Sequence, residues 1–390
     1  MNVDGQMGGF HYSSYAQDVI FASGALVGLG QAVERFGWQR LMLCTNHTLS
    51  ANGAADSITA VLGEQLVVTY DQVKPHVQDF QVAEVLALAV EKDVDALIAM
   101  GGGSPIGMAK AVAPRLAEKR ASESPRAGSL NRRPIIPVIA IPTTYSGSEM
   151  TPVYGITHAG ESPPRKVTAS DPLSVPRLVV YDPQLTLDLP PQMTASTGIN
   201  ALAHCFEALY SIQRNPLSTA AATNGVGHIT HALLRCYQHG DDLQARTEML
   251  TGSHLAGLSL ASVKMGLHHG LCHVLGGTAN VPHGIANSIV LPHAIRFNAG
   301  ATAAQLLPAV EAMGISTDSL NPAAAVETAA ERIYALVGQM NLPQRLRDAG
   351  VQGADLPRIA QLAFQNHTVQ NNPKPITAAS QIEGLLREAW

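Results

Sequence analysis

A chain of 390 residues has room for about two domains of ordinary size and can bury a core without help from disulfides or metal. Hydrophobic residues make up 46% and charged residues 14%, which excludes a disordered chain, and a net charge of −5 with scattered basic residues excludes a nucleic-acid-binding stripe. No apolar run reaches the roughly 18 residues of a membrane span. The opening MNVDGQMGGFHYSS lacks the basic-then-apolar order of a secretory signal, so a cytoplasmic location is expected. Cys44, Cys205, Cys236 and Cys272 show no CxxC spacing and read as reduced core thiols.

In chain order, "RLMLCT" (40–45), "QLVVTY" (65–70), "DALIAM" (95–100), "IIPVIAI" (135–141) and "RLVVY" (177–181) read as strands. "ANGAADSITAVLG" and "DFQVAEVLALAVEKD" between them carry helical periodicity. Strands alternating with helices predict βαβ units and a parallel sheet, hence an α/β dinucleotide-binding domain over residues 1–182. The polar stretch 118–134 reads as an exposed loop, and 157–167 as a hairpin tip or loop. Beyond residue 183, Ala- and Leu-rich segments such as "GINALAHCFEALYSI" replace the strand signals and predict an all-helical domain over 183–390. No internal repeat is present.

Three places carry chemistry. "DALIAMGGGSPIGMAKAVA" runs from a strand through Gly101, Gly102, Gly103 and Ser104 into a helix. Glycines let backbone approach a phosphate, and a helix start offers unpaired N–H groups. The turn is neither GxGxxG nor a GxxxxGK loop, which argues against kinase-like chemistry. Asn46, after the first strand, stands where many dinucleotide folds place an acid on the adenosine ribose; a helix cap is its equal alternative. As a neutral amide it leaves NADH and NADPH both open. "IPTTYSGSEMTP" offers Thr143, Thr144 and Ser148 beside Tyr145 as a ligand-facing loop, with turn chemistry as its plainer reading. Lys166 is a further candidate for the cofactor.

The third place is histidine-rich. Asn200 and His204 are one helical turn apart, as are His269 and His273, and His283 follows in "VPHG". Polar residues on otherwise apolar faces of two helices predict a shared site, with satisfied core histidines as the alternative. His268, adjacent to His269, is expected to point about 100° away.

In this order, "GGGS…AK", "IPTT", the "ALAH" helix and "HGLCHVLGG…PHGIAN" resemble the iron-containing alcohol dehydrogenase superfamily over nearly the whole chain. The resemblance implies a Rossmann-like N-terminal domain, an all-α C-terminal domain, an active site in the cleft between them, and a homodimer. In metal-dependent members an Asp and three His hold Fe²⁺ or Zn²⁺; the matching positions are Asn200, His204, His269 and His283. His273 matches a histidine linked to proton transfer. Two departures stand out: Asn200 replaces the ligand Asp, and Gly107 replaces the Asp usual after the glycine turn.

Both are shared by the maleylacetate reductase branch, which "IPTTYSGSEMTPVYGIT", "GINALAHCFEALYS" and "NPKPIT…LLREAW" also resemble. That branch implies NADH- or NADPH-dependent reduction of the C=C bond of maleylacetate, a dicarboxylate, to 3-oxoadipate in aromatic catabolism. The alternative is a metal-dependent alcohol dehydrogenase. An enone reduction develops an enolate that hydrogen-bond donors and an acid can serve. The expectation is therefore no required metal, with His204, His269, His273 and His283 as an imidazole cluster, His273 as leading proton donor and Tyr145 as a second. His204, His269 and His283 are the ligands if a metal is held. No nucleic-acid or membrane partner is expected.

Overall fold

The computed structural model describes residues 9–10, 12–123, 135–158, 160 and 165–390, apart from the side chains of Glu123, Arg165 and Lys166. It divides into two compact units. One is Tyr15–Leu187; the other is Asp188–Trp390, with which the described residues before Tyr15 group. The change of unit falls five residues later than the composition shift at 183, and the reason is local. Asp182 accepts hydrogen bonds from Gly24 N, Leu26 N and Gln184 N, so the turn Pro183–Thr186 is tied back to the α/β unit.

The α/β unit holds one parallel sheet of six strands in the order β1-β8-β5-β4-β2-β3. These are β1 (Asp18–Phe21), β2 (Leu41–Cys44), β3 (Leu66–Tyr70), β4 (Ala96–Gly101), β5 (Val138–Pro142) and β8 (Leu178–Tyr181). The four central strands are wholly buried, as parallel strands covered on both faces must be, and the edge strands β1 and β3 are only partly so. An antiparallel pair, β6 (Val153–His158) and β7 (Arg165–Ser170), stands apart from the sheet. The helices are α1 (Leu29–Phe36), α2 (His47–Ala51), α3 (Ala54–Leu62), α4 (Asp79–Glu91) and α5 (Gly103–Glu123).

All five strands read from the sequence are present, each shifted by a few residues at most. β1 is an addition, as are β6 and β7; of the 157–167 segment, read as a hairpin tip or loop, 157–158 end β6, 160 is a turn and 165–167 begin the antiparallel β7, while 159 and 161–164 lie outside the described residues. The 118–134 reading is corrected in its first part. "EKRASE" continues α5 through Glu123, while 124–134 lie outside the described residues.

The helical unit is built around α6 (Pro191–Tyr210), buried almost all round because α7 (Pro216–Gln238), α8 (Leu243–Ser262) and α10 (His283–Ala312) pack against it. A Cβ on Gly284 would lie 2.7 Å from Ser196 Cβ, so only glycine lets the start of α10 come this close to α6. α9 (Leu267–Ala279) stops at Asn280, which takes the left-handed conformation at φ 53°, and Pro282 then leads into α10. α11 (Pro322–Gln339), α12 (Leu356–Gln365) and α13 (Ala379–Ala389) complete the unit. No helix among the described residues is long and apolar enough to cross a membrane. All four cysteines are free and buried.

Candidate functional site

In the α/β unit the strand order reverses between β2 and β4. The chain goes outward from β2 to β3, then returns to the other side of β2. Ligands of open parallel sheets bind beyond the strand ends at such a switch point. Three sequence candidates stand there: Asn46 after β2, Gly101–Gly103 after β4 and Thr143–Thr144 after β5. Thr45 Oγ1 donates to Met100 O at 3.0 Å and Thr143 N to Gly101 O at 3.1 Å, linking these ends.

Gly101 sits at φ +138°, where only glycine is unstrained, and a Cβ on Gly102 would press on Thr144 Oγ1 at 3.0 Å. Thr144 Oγ1 is buried, with no hydrogen-bond partner among the described residues. Backbone bared by glycine, a 21-residue helix start and an orphaned hydroxyl form a cradle suited to phosphate oxygens. Ser104 Oγ accepts from His76 N at 3.3 Å. The absent Asp at Gly107 has a steric account: a Cβ there would already meet Val77 Cγ2 at 3.0 Å.

Other candidates of this unit are differently employed. Asn46 caps α2, its side chain accepting from Leu49 N at 3.1 Å. Ser148 belongs to a buried nest: Lys110 Nζ donates to Ser148 O (2.7 Å), Ser148 Oγ, Thr151 O and Val153 O (2.6 Å). Burial lowers the Lys110 ammonium to about 7, against the pull of Glu149. Lys166 lies on β7 opposite Thr157, its side chain outside the described residues. Tyr145 follows Thr144 after β5 and is fully buried.

In the helical unit the histidines do converge. Asn200 and His204 lie on α6, His268, His269 and His273 on α9, and His283 opens α10. The tight α9–α10 turn brings His283 back beside His273, ring centroids 5.5 Å apart. His283 lies 6.0 Å from His269, which stacks on His204 at 4.6 Å with planes 14° apart. Exposure falls along this series: His273 is exposed, His283 half-buried, His269 and His204 buried at 4% each. Asn200 is buried on α6, one turn before His204.

The residue missing from the sequence reading is Glu207, three positions beyond His204 on α6 and fully buried. Its Oε1 accepts from Gly266 N (3.0 Å) and His268 N (3.1 Å), and its Oε2 from His269 N (3.2 Å) and His269 Nδ1 (2.5 Å). A carboxylate from one helix thus caps the start of another, where the helix dipole favours negative charge. The available signal was a carboxylate in the apolar run "ALAHCFEALY".

His268 joins the same group, contrary to the expectation that it points away. Its Nδ1 lies 3.2 Å from His269 Nδ1 and 3.8 Å from Glu207 Oε2. Burial raises the Glu207 carboxyl while its backbone N–H donors and His268 oppose this. Burial holds His268 down at about 4, His269 at about 3, and His204 well below the usual imidazole range. These three rings are therefore neutral near pH 7.

Among the described residues, the His, Cys, Asp and Glu ligand atoms that converge within 4.8 Å belong to Glu207, His268 and His269, rather than to the expected His204, His269 and His283. The former group is already joined by hydrogen bonds. Asn200 supplies no charge. His204 Nδ1 and His269 Nε2 are buried with no hydrogen-bond partner among the described residues, so two of the expected ligands keep an unpaired ring nitrogen.

Two family models match the chain: iron-containing alcohol dehydrogenase over residues 16–183, and the C-terminal part of the Fe-containing alcohol dehydrogenase family over 194–390. A maleylacetate reductase of Pseudomonas knackmussii is 35% identical over 372 residues, 95% of each chain. The crystal structure of maleylacetate reductase from Agrobacterium tumefaciens is 29% identical, covers 98% of each chain and superposes with a TM-score of 0.82. An alcohol dehydrogenase from Oenococcus oeni, 26% identical, covers 98% of this chain and 100% of its own at a TM-score of 0.89. The fold alone therefore does not separate the two activities.

Proposed function

The chain belongs to the iron-containing alcohol dehydrogenase family, and from that premise we propose that it is a maleylacetate reductase, an oxidoreductase that uses NADH or NADPH to reduce the C=C bond of maleylacetate to 3-oxoadipate. The observation that carries this reading is Asn200. An uncharged amide takes the place of the ligand carboxylate inside an imidazole cluster that is otherwise complete. Relatives named maleylacetate reductase at 33–35% identity support it.

The glycine turn and Thr144 would hold the cofactor's phosphates. When bound, the cofactor supplies the hydride. Reduction of the enone adds hydride to the carbon β to the ketone and leaves an enolate, whose α-carbon then takes a proton. No carbonyl has to become an alkoxide, which removes the chief need for a Lewis acid. His273 is the exposed member of the cluster and the assigned proton donor, with His283 beside it. The reading includes no required metal, because hydrogen-bond donors can serve a developing enolate.

A second reading, a metal-dependent alcohol dehydrogenase, is favoured by two orphaned ligand atoms: His204 Nδ1 and His269 Nε2 are buried with no hydrogen-bond partner among the described residues, as ligand nitrogens would be. An NAD(P)H-oxidation assay on maleylacetate and a panel of aldehydes, with and without EDTA, separates the two. Turnover of maleylacetate that survives chelation is the expected result. Activity on aldehydes alone, abolished by EDTA and restored by Zn²⁺ or Fe²⁺, would replace it with the second reading.

A further inference from the structure

The start of α9 accounts for all of its orphan donors. A helix leaves its first four N–H groups without intrahelical acceptors. Here Gly266, His268 and His269 donate to Glu207, and Leu267 donates to Asn372 Oδ1 at 3.4 Å. Asn372 is held in turn by a reciprocal pair of hydrogen bonds with Asn298. The first bond internal to the helix follows at Gly270 N to Gly266 O.

Capping explains the carboxylate oxygens facing backbone. It does not explain the additional bond from Glu207 Oε2 to His269 Nδ1. Polarity around the two rings settles which nitrogens carry protons. His268 Nε2 faces Asn287 O at 3.3 Å, and a carbonyl only accepts, so His268 is protonated at Nε2 and bare at Nδ1. That bare Nδ1 faces His269 Nδ1 at 3.2 Å, and two bare nitrogens would repel. The other neighbour of His269 Nδ1 is a carboxylate oxygen, again an acceptor. The proton of His269 therefore sits on Nδ1, and its buried Nε2, without a partner among the described residues, is a lone pair.

We propose that Glu207 is a positioning residue: it holds His269 in its Nδ1–H form, so that Nε2 faces the contents of the imidazole cluster as an acceptor. One consequence divides the cluster. A neutral His269 of this form cannot donate a hydrogen bond to an enolate oxygen, so donation falls to the other rings, His204, His273 and His283. His269 instead receives an N–H or O–H and orients its owner. The kinetic part of this inference rests on the proposed reduction; the tautomer does not.

The test is ¹⁵N NMR of histidine-labelled protein, in which protonated and bare ring nitrogens resonate far apart, with His269 assigned by loss of its signals in His269→Gln. Wild type is expected to show His269 protonated at Nδ1 and bare at Nε2. Glu207→Gln keeps an oxygen for capping but offers an amide donor to Nδ1. It is expected to move the proton to Nε2 and to lower kcat on maleylacetate roughly 10–100-fold at unchanged KM for NADH, as loss of an imidazole's orienting partner does elsewhere. His269 protonated at Nε2 in wild type overturns the inference, and so does a Glu207→Gln enzyme with full kcat. If Glu207→Gln fails to fold, the wild-type spectrum still decides the tautomer. Glu207→Asp, one methylene shorter, then supplies the kinetic arm and is expected to lose kcat rather than cofactor affinity. A protein that ignores maleylacetate yet shows the expected tautomer refutes the reduction and leaves the positioning intact.

Discussion

Among the described residues each unit buries one glutamate completely, and the two are used in opposite ways. Glu149, in the α/β unit, accepts from Tyr181 OH at 2.8 Å, and burial raises its carboxyl and, further, the phenol. Tyr181 and Lys110, the groups that act on it, are themselves fully buried, and Lys110 spends its donors on the carbonyls of the loop 148–153. The group is closed and holds a loop in shape. Glu207 is just as buried and its carboxyl is also raised, yet its neighbours lead outward, from His269 through half-buried His283 to exposed His273. A shifted pKa by itself does not distinguish structural from functional groups. A continuous path from the buried charge to the surface does.

The contrast can be broken at three points beyond Glu207 itself. The largest effect is expected at the outer end of the path. His273→Ala should lower kcat about 10²–10⁴-fold, the usual contribution of a positioned acid, at unchanged stability. Steady-state kinetics with NADH saturating check this, and an unaltered kcat removes His273 from the donor role.

A smaller effect is expected from acid. His204, His268 and His269 titrate below the ordinary imidazole value of 6.5, with His268 at about 4 and His269 at about 3. Below 6.5 the unfolded chain binds protons that the native state refuses, so stability falls as pH drops from 6.5 toward 3. The raised Glu207 and Glu149 act in the opposite sense above their ordinary value, two carboxyls against these three imidazoles and His254 and His293, which burial also lowers. The melting temperature should therefore decline between pH 7 and 4, and His268→Gln should flatten the decline. A melting temperature flat over that range would mean that these rings are already charged at neutral pH.

The smallest effect is expected in the closed group. Glu149→Gln retains an acceptor for Tyr181 and should leave kcat and KM on maleylacetate unchanged, with stability altered by no more than about 1 kcal/mol. A large loss of turnover there would erase the distinction between the two glutamates.

Much of this was legible along the chain. The central strands are unbroken apolar runs because a parallel sheet is covered on both faces. The missed strands have the opposite character: β1 is a four-residue edge strand, and β7 reads "RKVTAS". The glycine turn was legible because a strand, three glycines and a helix start follow one another in sequence. The histidines were legible by their one-turn spacing. The burial of Tyr145 was not legible because loop composition does not report it, and Asn46 could be read as cap or ligand because an amide serves both.

What the sequence by itself determined is the order of elements, the change from βαβ to all-helical structure, and the polar positions on apolar helices. It determined the family too, since those motifs recur in fixed order. Only the tertiary structure decided which charge meets which ring. Glu207 and His269 are 62 positions apart, and their bond exists because α6, enclosed by its neighbours, meets the first turn of α9. His268 shows the same limit. A helical wheel describes directions around an axis, whereas side chains of a first turn also reach along it, toward whatever caps the helix. The capping group came from another helix, so no local pattern held it.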